Sequence, residues 1–178
     1  MKNHFEIHGD ITIIFLERKR SNECLIAKID TDDLDLVKTS SVNWYACFDN
    51  HTQSYYVRGY RFENGKIKHF QLHRLLMNPS KGQVVDHINH DTLDNRKANL
   101  RILTSAQNRQ NLKGAYKSSK SGVQGVMWRK DVGKWQARVK LNGKEKHLGY
   151  FDDLQEAKAV VAQAREKYYP FSQEALQN

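Results

Sequence analysis

The fold of this chain is decided by the stretch Val84-Val-Asp-His-Ile-Asn-His-Asp-Thr-Leu-Asp-Asn-Arg-Lys-Ala-Asn-Leu-Arg-Ile-Leu-Thr-Ser-Ala-Gln-Asn-Arg109. Alternating apolar residues predict a strand over residues 83–88 and a second strand over 99–104. The segment between them is polar and turn-rich. Thr104 or Ser105 is the expected N-cap of a helix over residues 106–113, which Gly114 closes. The expected order is therefore strand, long loop, strand and helix.

Four side chains of this stretch carry chemistry: Asp86, His87, Asn99 twelve positions after His87, and Asn108 nine positions further on. Hydrolysis of a phosphodiester needs an activated water and neutralised charge on the phosphate. His87 can take a proton because imidazole titrates near neutral pH. Carboxylate and amide oxygens suit Mg²⁺ or Mn²⁺. Because adjacent strand residues point to opposite faces, Asp86 and His87 converge only where the strand ends or twists.

The same residues resemble an HNH homing endonuclease, the type encoded by phages and self-splicing introns. The similar region covers residues 72–112 and includes a lead-in helix, Leu72-His-Arg-Leu-Leu-Met77. The resemblance implies a ββα-metal fold in which His87 is the general base and Asn99 fixes the histidine and its loop. It also implies that Asp86 and Asn108 hold one divalent metal ion. The last residue of the family's name is usually His, and Asn108 matches a subset of intron-encoded nicking enzymes.

Each of these residues has an ordinary structural alternative when it is taken alone, and only their joint spacing favours catalysis. His90 suggests a His-x-x-His metal pair, but strand alternation places it on the other face, so we do not expect a ligand. His73, Arg74 and Arg101 are the candidate DNA contacts of this segment. For His73 and Arg101, packing or solvation remains an equal alternative to a phosphate contact.

Residues 122–170 predict a compact unit of three strands and one helix. The strands are expected at residues 125–129, 134–141 and 144–149, joined by turns that include Asn142-Gly143, which is a strong hairpin signal. The helix is expected at residues 153–168. Pleat alternation predicts an apolar face that packs on Ala157, Val160, Val161 and Ala164, and this face consists of Val126, Trp128, Trp135, Ala137, Val139 and Leu141.

This unit resembles the DNA-binding domain of the plant ethylene-response-factor and Apetala proteins. The similar segments are Gly125-Val, Gly133-Lys-Trp-Gln-Ala-Arg-Val, His147-Leu-Gly-Tyr-Phe-Asp and Glu156-Ala-Lys-Ala. The resemblance implies a sheet that lies in the major groove with the helix behind it. Arginine can pair with guanine and glutamine with adenine, so the candidate DNA-reading residues are Arg129, Gln136, Arg138, Lys140 and His147. An ordinary solvated sheet face is the alternative, and both tryptophans are expected in the core rather than as stacking platforms.

The charge of the chain points to a polyanionic partner. The formal net charge is +9, and it is zero over residues 1–70, +6 over 71–120 and +3 over 121–178. The excess begins where the Asp-His motif begins, which is expected if phosphates dock there. We therefore expect double-stranded DNA as the partner. No protein partner is evident.

Composition also excludes several classes. No apolar run approaches the roughly 18 residues of a membrane span, and the amino terminus lacks a signal-peptide core, so we expect a cytoplasmic protein of a bacterial or phage-infected host cell. Cys24 and Cys47 form no Cys-x-x-Cys pair, which excludes a cysteine-type zinc site, and both are expected to be buried small residues.

The expected fold class is α+β in four parts: a β-rich scaffold (residues 1–70), an HNH core (71–112), a basic flexible linker (113–121) and the sheet-and-helix unit (122–170). In the scaffold we expect a hairpin at His8-Gly9-Asp10, a helix capped by Thr31, a meander and a helix that stops at Asn78-Pro79. The expected function is a site-specific, metal-dependent DNA endonuclease that nicks its target. The alternatives are a DNA-binding protein with a non-catalytic nuclease-like core and an RNA-binding protein.

Overall fold

The computed structural model of the protein describes residues 1–18, 21–40, 42–111, 119–141 and 143–172. The chain divides into two compact units, Met1–Ser105 and Ala106–Asn178. Most elements are strands in several small antiparallel sheets, and the longest helix lies near the carboxyl end. This confirms the expected mixed α+β class, whereas the four-part division stays a prediction. None of the helices in the described ranges is both long and apolar enough to cross a membrane.

The first sheet of the amino-terminal unit has the order β1-β2-β3, with β1 at Phe5–His8, β2 at Ile11–Arg18 and β3 at Ser21–Asp30. The predicted hairpin at His8-Gly9-Asp10 is confirmed, and Gly9 has the positive φ of +61° that this turn requires. The predicted cap by Thr31 is wrong. Its hydroxyl instead donates to the carbonyl of Gly9 at 2.9 Å, and helix α1, Leu34–Thr39, begins after a 3-10 turn.

The second sheet is the predicted meander, with the order β4-β5-β6: β4 at Asn43–Asp49, β5 at Ser54–Glu63 and β6 at Lys66–Gln71. Helix α2, Leu72–Met77, follows β6 directly and ends at Asn78, whose φ of +42° stops the helix as predicted. One apolar core serves the first and second sheets together with helices α1 and α2. Its buried members are Ile14, Leu16, Ala27, Ile29, Leu34, Val37, Val42, Trp44, Val57, Leu72 and Leu76.

The decisive stretch forms an antiparallel pair of strands, β7 at Gln83–His87 and β8 at Leu100–Thr104, as the sequence predicts. The predicted helix is shorter than expected. Helix α3 covers Ser105–Asn108 and continues as a 3-10 turn, Arg109–Asn111. Asparagine is a weak helix former, which disfavours continuation of a polar segment such as this one. Residues 112–118, which include most of the expected linker, lie outside the described residues.

The carboxy-terminal unit contains the sheet β11-β10-β9, with β9 at Val126–Arg129, β10 at Lys134–Leu141 and β11 at Lys144–Phe151, and helix α4, Leu154–Tyr168, packs on it. Asp153 caps α4 by accepting from the amides of Gln155 and Glu156. The expected place of Trp128 in the core is wrong, since 40% of this side chain is exposed. The core closes over smaller side chains and leaves Trp128 at its margin; its buried members are Val126, Ala137, Val139, Ala157, Val161 and Ala164. Asn142 lies outside the described residues.

Candidate active site

The paired strands β7 and β8 bring Asp86 opposite Arg101 and His87 opposite Leu100. The guanidinium of Arg101 donates from Nε at 2.9 Å and from Nη2 at 2.8 Å, and both bonds end on Oδ2 of Asp86. Both side chains are largely buried, so a charge-assisted pair of this kind fixes the direction of the carboxylate. Arg101, a predicted phosphate contact, is thus placed where it orients Asp86.

His87 is the last residue of β7 and is buried among aromatic rings. Its ring centroid lies 5.1 Å from that of His73 and 6.2 Å from that of Tyr56. Burial lowers the pKa of His87, and a hydrogen bond with the Asn95 side chain and the charge of Asp86 oppose this lowering. His87 is therefore a neutral imidazole at neutral pH, which is the form that accepts a proton.

His73 lies in α2 and packs edge-on against His87. Burial, with smaller contributions from the neighbouring His87 and Arg74, lowers the pKa of His73 to about 3. Its Nδ1 is buried and has no hydrogen-bond partner among the described residues. A neutral, buried imidazole offers no positive charge to a phosphate, so the geometry favours the packing alternative for His73. Arg74 is tied to β7 through a 3.2 Å bond from Nη1 to the carbonyl of Gln83.

Asn99 closes the loop of residues 88–98 that connects the two strands. Its Oδ1 accepts from the amide of Asn89 at 3.0 Å, and its Nδ2 donates to the carbonyl of Asp94 at 2.8 Å and to that of Asp91 at 3.4 Å. Its own carbonyl accepts from the amide of Ile88 at 2.8 Å. Because Asn99 is buried, these bonds are shielded from water and hold the loop immediately after His87.

The same loop is docked on the first sheet, which the sequence did not predict. Residues of β3 and of the loop form a parallel bridge at Lys28 and Asp94, with backbone bonds of 2.9 and 2.7 Å on either side. The Lys97 amide donates to Oδ2 of Asp30 at 2.7 Å, and the Lys97 ammonium donates to Asp33 at 2.6 Å. The scaffold therefore positions the candidate active site.

Asn95 lies in this loop, and its side chain forms a hydrogen bond with His87. The sequence reasoning missed this contact. The side chain of Asn95 is fully buried, and its Nδ2 donates to the carbonyl of Leu93 at 3.1 Å. The loop is rich in Asn and Asp, which predicts turns, but composition gives no signal for which amide faces the histidine.

His90, which is not expected to bind a metal, and Asn108, which is, lie in different parts of the structure. His90 has a φ of +64°, and its amide donates to the carbonyl of His87 at 3.1 Å, so it lies in a turn beyond the strand and the alternation argument does not apply to it. Asn108 is the last residue of α3 and belongs to the carboxy-terminal unit. Among the described residues, no three His, Cys, Asp or Glu side chains cluster as a metal site. Carboxylate and amide oxygens, the donor types that Asp86 and Asn108 carry, are ligands that suit Mg²⁺ or Mn²⁺.

The predicted DNA-reading residues of the carboxy-terminal unit lie along one face of its sheet. Arg129 donates to Oε1 of Gln136 at 3.4 Å, and the amide of Gln136 lies 3.3 Å from Nδ1 of His147. Arg129 also donates to both carboxylate oxygens of Asp131, at 2.9 and 2.7 Å. The structure thus brings three of the predicted residues into one hydrogen-bonded row.

The other two predicted residues flank this row. Arg138 donates to both carboxylate oxygens of Glu145 at 2.7 Å, and the side chain of Lys140 is exposed. Tyr150, which the sequence reasoning missed, lies in register with Gln136, and its ring centroid is 4.6 Å from that of His147.

The sequence matches a family model and is similar to a phage protein. Residues 78–110 match the model of an HNH endonuclease family, and the matched segment contains Asp86, His87, Asn99 and Asn108. The chain is also similar to Protein 3.8 of Escherichia phage T7, with 28% identity over 113 residues that cover 63% of this chain and 93% of the phage protein. No solved structure matches the chain. An HNH endonuclease domain is therefore found at residues 78–110.

Proposed function

We propose that this protein is a site-specific, metal-dependent DNA endonuclease of the homing type, which nicks one strand. The proposal is supported above all by His87, a buried and neutral histidine beside Asp86 within the HNH segment. The net positive charge of residues 71–120 supports DNA as the substrate.

In this proposal His87 removes the proton of the attacking water, and its neutral form at neutral pH suits that role. Asn99 and Asn95 position His87 and its loop. Asp86, oriented by Arg101, and Asn108 would hold one Mg²⁺ or Mn²⁺. A bound divalent ion supplies charge stabilisation for the phosphate and the leaving oxygen.

We further propose that the sheet face of the carboxy-terminal unit lies in the major groove and selects the target. The residues that would read bases or bind phosphates there are Arg129, Gln136, Arg138, Lys140 and His147. Arg138 has to leave Glu145 before it can reach a base. Both side chains of that ion pair are substantially exposed, and exposed ion pairs are weak, so this exchange costs little.

The nuclease proposal is tested with supercoiled plasmid, Mg²⁺ and EDTA. We expect metal-dependent conversion to the nicked circle, which His87→Ala abolishes while DNA binding is retained. His8→Ala is the matched control, because His8 is an exposed histidine in β1 that lies outside the HNH segment. Undiminished nicking by His87→Ala in saturating Mg²⁺ would exclude His87 as the base.

A DNA-binding protein with a non-catalytic nuclease-like core is the second candidate. One observation favours it: the guanidinium of Arg101 already provides a positive counter-charge for Asp86, a role that a metal ion would otherwise fill. Under this alternative the protein shifts DNA in a gel and produces no nicked circles with Mg²⁺ or Mn²⁺.

A further inference from the structure

The outer face of the second sheet carries a row of aromatic and basic residues. Tyr45, Arg58 and Gln71 are neighbours across β4, β5 and β6, and the next row on the same face contains Tyr60 and His69. Residues of alternate parity, such as Trp44 and Val57, point into the core instead. The residues of these two rows are therefore not members of the buried apolar core.

Part of this face, together with α2, forms an open cleft of about 830 Å³. Its polar and aromatic lining includes Tyr45, Arg58, His69, Gln71, Arg74 and Asn78. The volume falls in the range of roughly 300–1,000 Å³ that is typical of sites for small ligands. The cleft can thus hold a group of the size of a nucleotide.

The donors in the cleft favour an anion. Arg58 contacts one carboxylate, Asp49, at 3.3 Å through Nη2, and its side chain is 36% exposed. Arg74 donates from Nη1 to a neutral carbonyl. Both arginines line the cleft, and the planar guanidinium matches the geometry of a phosphate.

The cleft lies beside the candidate base. Tyr56 precedes Arg58 by two residues on the same face of β5, a separation of about 6.6 Å along a strand, and its ring lies 6.2 Å from that of His87. Arg74 follows His73, whose ring lies 5.1 Å from that of His87. The positive charges of both arginines also contribute to the lowered pKa of His73, which places them near it.

We infer that this cleft is a phosphate-binding subsite of the nuclease, in which Arg58 and Arg74 hold a backbone phosphate of the DNA close to the one that is cut. Tyr45 provides the apolar wall for the adjoining sugar or base. This inference rests on the proposed nuclease function for its substrate, and it gives the β-rich scaffold a direct part in binding DNA.

The test measures binding separately from cleavage. The full chain carrying His87→Ala is titrated into a fluorescent 30-base-pair DNA duplex without divalent metal, and the anisotropy of the duplex reports binding. The titration is repeated over a range of salt concentrations. We expect Arg58→Gln and Arg74→Gln each to weaken binding about tenfold and to lower the slope of log affinity against log salt by about 0.9. Lys66→Gln removes one charge from an exposed position of β6 that does not line the cleft, and we expect less than a twofold effect.

A second variant separates phosphate binding from a folding defect. Asp49→Asn breaks the ion pair with Arg58 and keeps an oxygen that can accept from the amides of His51 and Thr52. If Arg58 binds phosphate, Asp49→Asn retains or strengthens affinity; if the ion pair only holds the fold, Asp49→Asn loses affinity as Arg58→Gln does, and the inference falls.

Other outcomes are equally decisive. Affinities and salt slopes of Arg58→Gln and Arg74→Gln equal to those of Lys66→Gln would overturn the inference. So would a loss confined to a matched RNA duplex. If the unmodified chain nicks no plasmid but the two arginine variants still lose DNA affinity, the nuclease proposal fails and the subsite stands.

Discussion

Replacement of Asn99 by Asp is the sharpest perturbation of the candidate site, because it changes one donor and almost no volume. The carboxylate keeps an oxygen for the amide of Asn89. It removes the Nδ2 donor and places a second oxygen against the carbonyl of Asp94, at the position of the present 2.8 Å bond. The new carboxylate oxygen then repels the carbonyl oxygen of Asp94 in place of the hydrogen bond, and this destabilises the loop after His87.

The magnitude follows from these contacts. Loss of a hydrogen bond costs about 1 kcal/mol, and a buried carbonyl left unsatisfied costs roughly 1–3 kcal/mol more. We therefore expect Asn99→Asp to lower the free energy of unfolding by about 3 kcal/mol at pH 7, which corresponds to a fall in Tm of roughly 10–20 °C for a unit of this size.

The pH dependence distinguishes this mechanism from simple truncation. Burial beside carbonyl oxygens raises the pKa of the introduced carboxyl group in the folded state. A raised pKa contributes stability that is lost as pH increases, so the deficit of Asn99→Asp relative to the unmodified chain shrinks on going from pH 7 to pH 4.5. Asn99→Ala loses the same donor without adding a titrating group, and its deficit stays constant.

The assay is thermal and urea unfolding by circular dichroism, together with hydrogen exchange at the amides of Ile88 and Asn89, which bond to the carbonyl and side chain of Asn99. Asn50→Ala is the control, since Asn50 is exposed in the turn after β4, and we expect a change below about 0.5 kcal/mol. If Asn99→Asp is as stable as this control at pH 7 and exchanges no faster, Asn99 does not hold the loop.

Three further predictions concern other parts of the chain. The pKa of His73 is about 3 in the folded state against 6.5 when unfolded, so acidification between these values destabilises the protein by up to about 1.4 kcal/mol per pH unit. His73→Phe should flatten that slope in urea titrations. Gly59→Ala should cost roughly 1–3 kcal/mol or more, because a Cβ would clash with Cγ1 of Val42 and would lie 2.8 Å from the backbone oxygen of Asn43; a urea midpoint for Gly59→Ala equal to that of the unmodified chain would contradict this. Arg138→Ala should weaken DNA binding by about 1–3 kcal/mol and relax the preference at one base, whereas equal losses on cognate and random DNA would indicate a phosphate contact.

Strands and hairpins could be predicted from the sequence because their signals are local. The alternation in residues 43–71 and the turns at His8-Gly9-Asp10 and Asn78-Pro79 each involve neighbours along the chain, and the structure has the elements they indicate. The motif that led to the HNH family also lies within one short segment, residues 78–110.

What could not be predicted depends on contacts between distant residues. The Thr31 hydroxyl donates to the carbonyl of Gly9, 22 residues earlier in the chain, and does not cap the helix that follows Thr31. Trp128 alternates in step with the core residues of its strand, so the sequence predicts that it is buried. The packing of α4 decides which apolar side chains the core covers, and Trp128 is left exposed. The pairing of Asp86 with Arg101 needs the register of β7 and β8, which alternation alone does not fix.

The role of the scaffold shows why the site extends beyond its motif. Eleven residues, 88–98, lie between His87 and Asn99, and a loop of that length has many conformations unless it is held elsewhere. Bonds from Lys97 to Asp30 and Asp33 span 67 and 64 residues, and the bridge at Lys28 adds backbone bonds. These contacts restrict the loop before any DNA binds, which lowers the entropic cost of forming the site. A segment of zero net charge with no catalytic motif therefore contributes to the candidate site, because it holds the loop that surrounds His87.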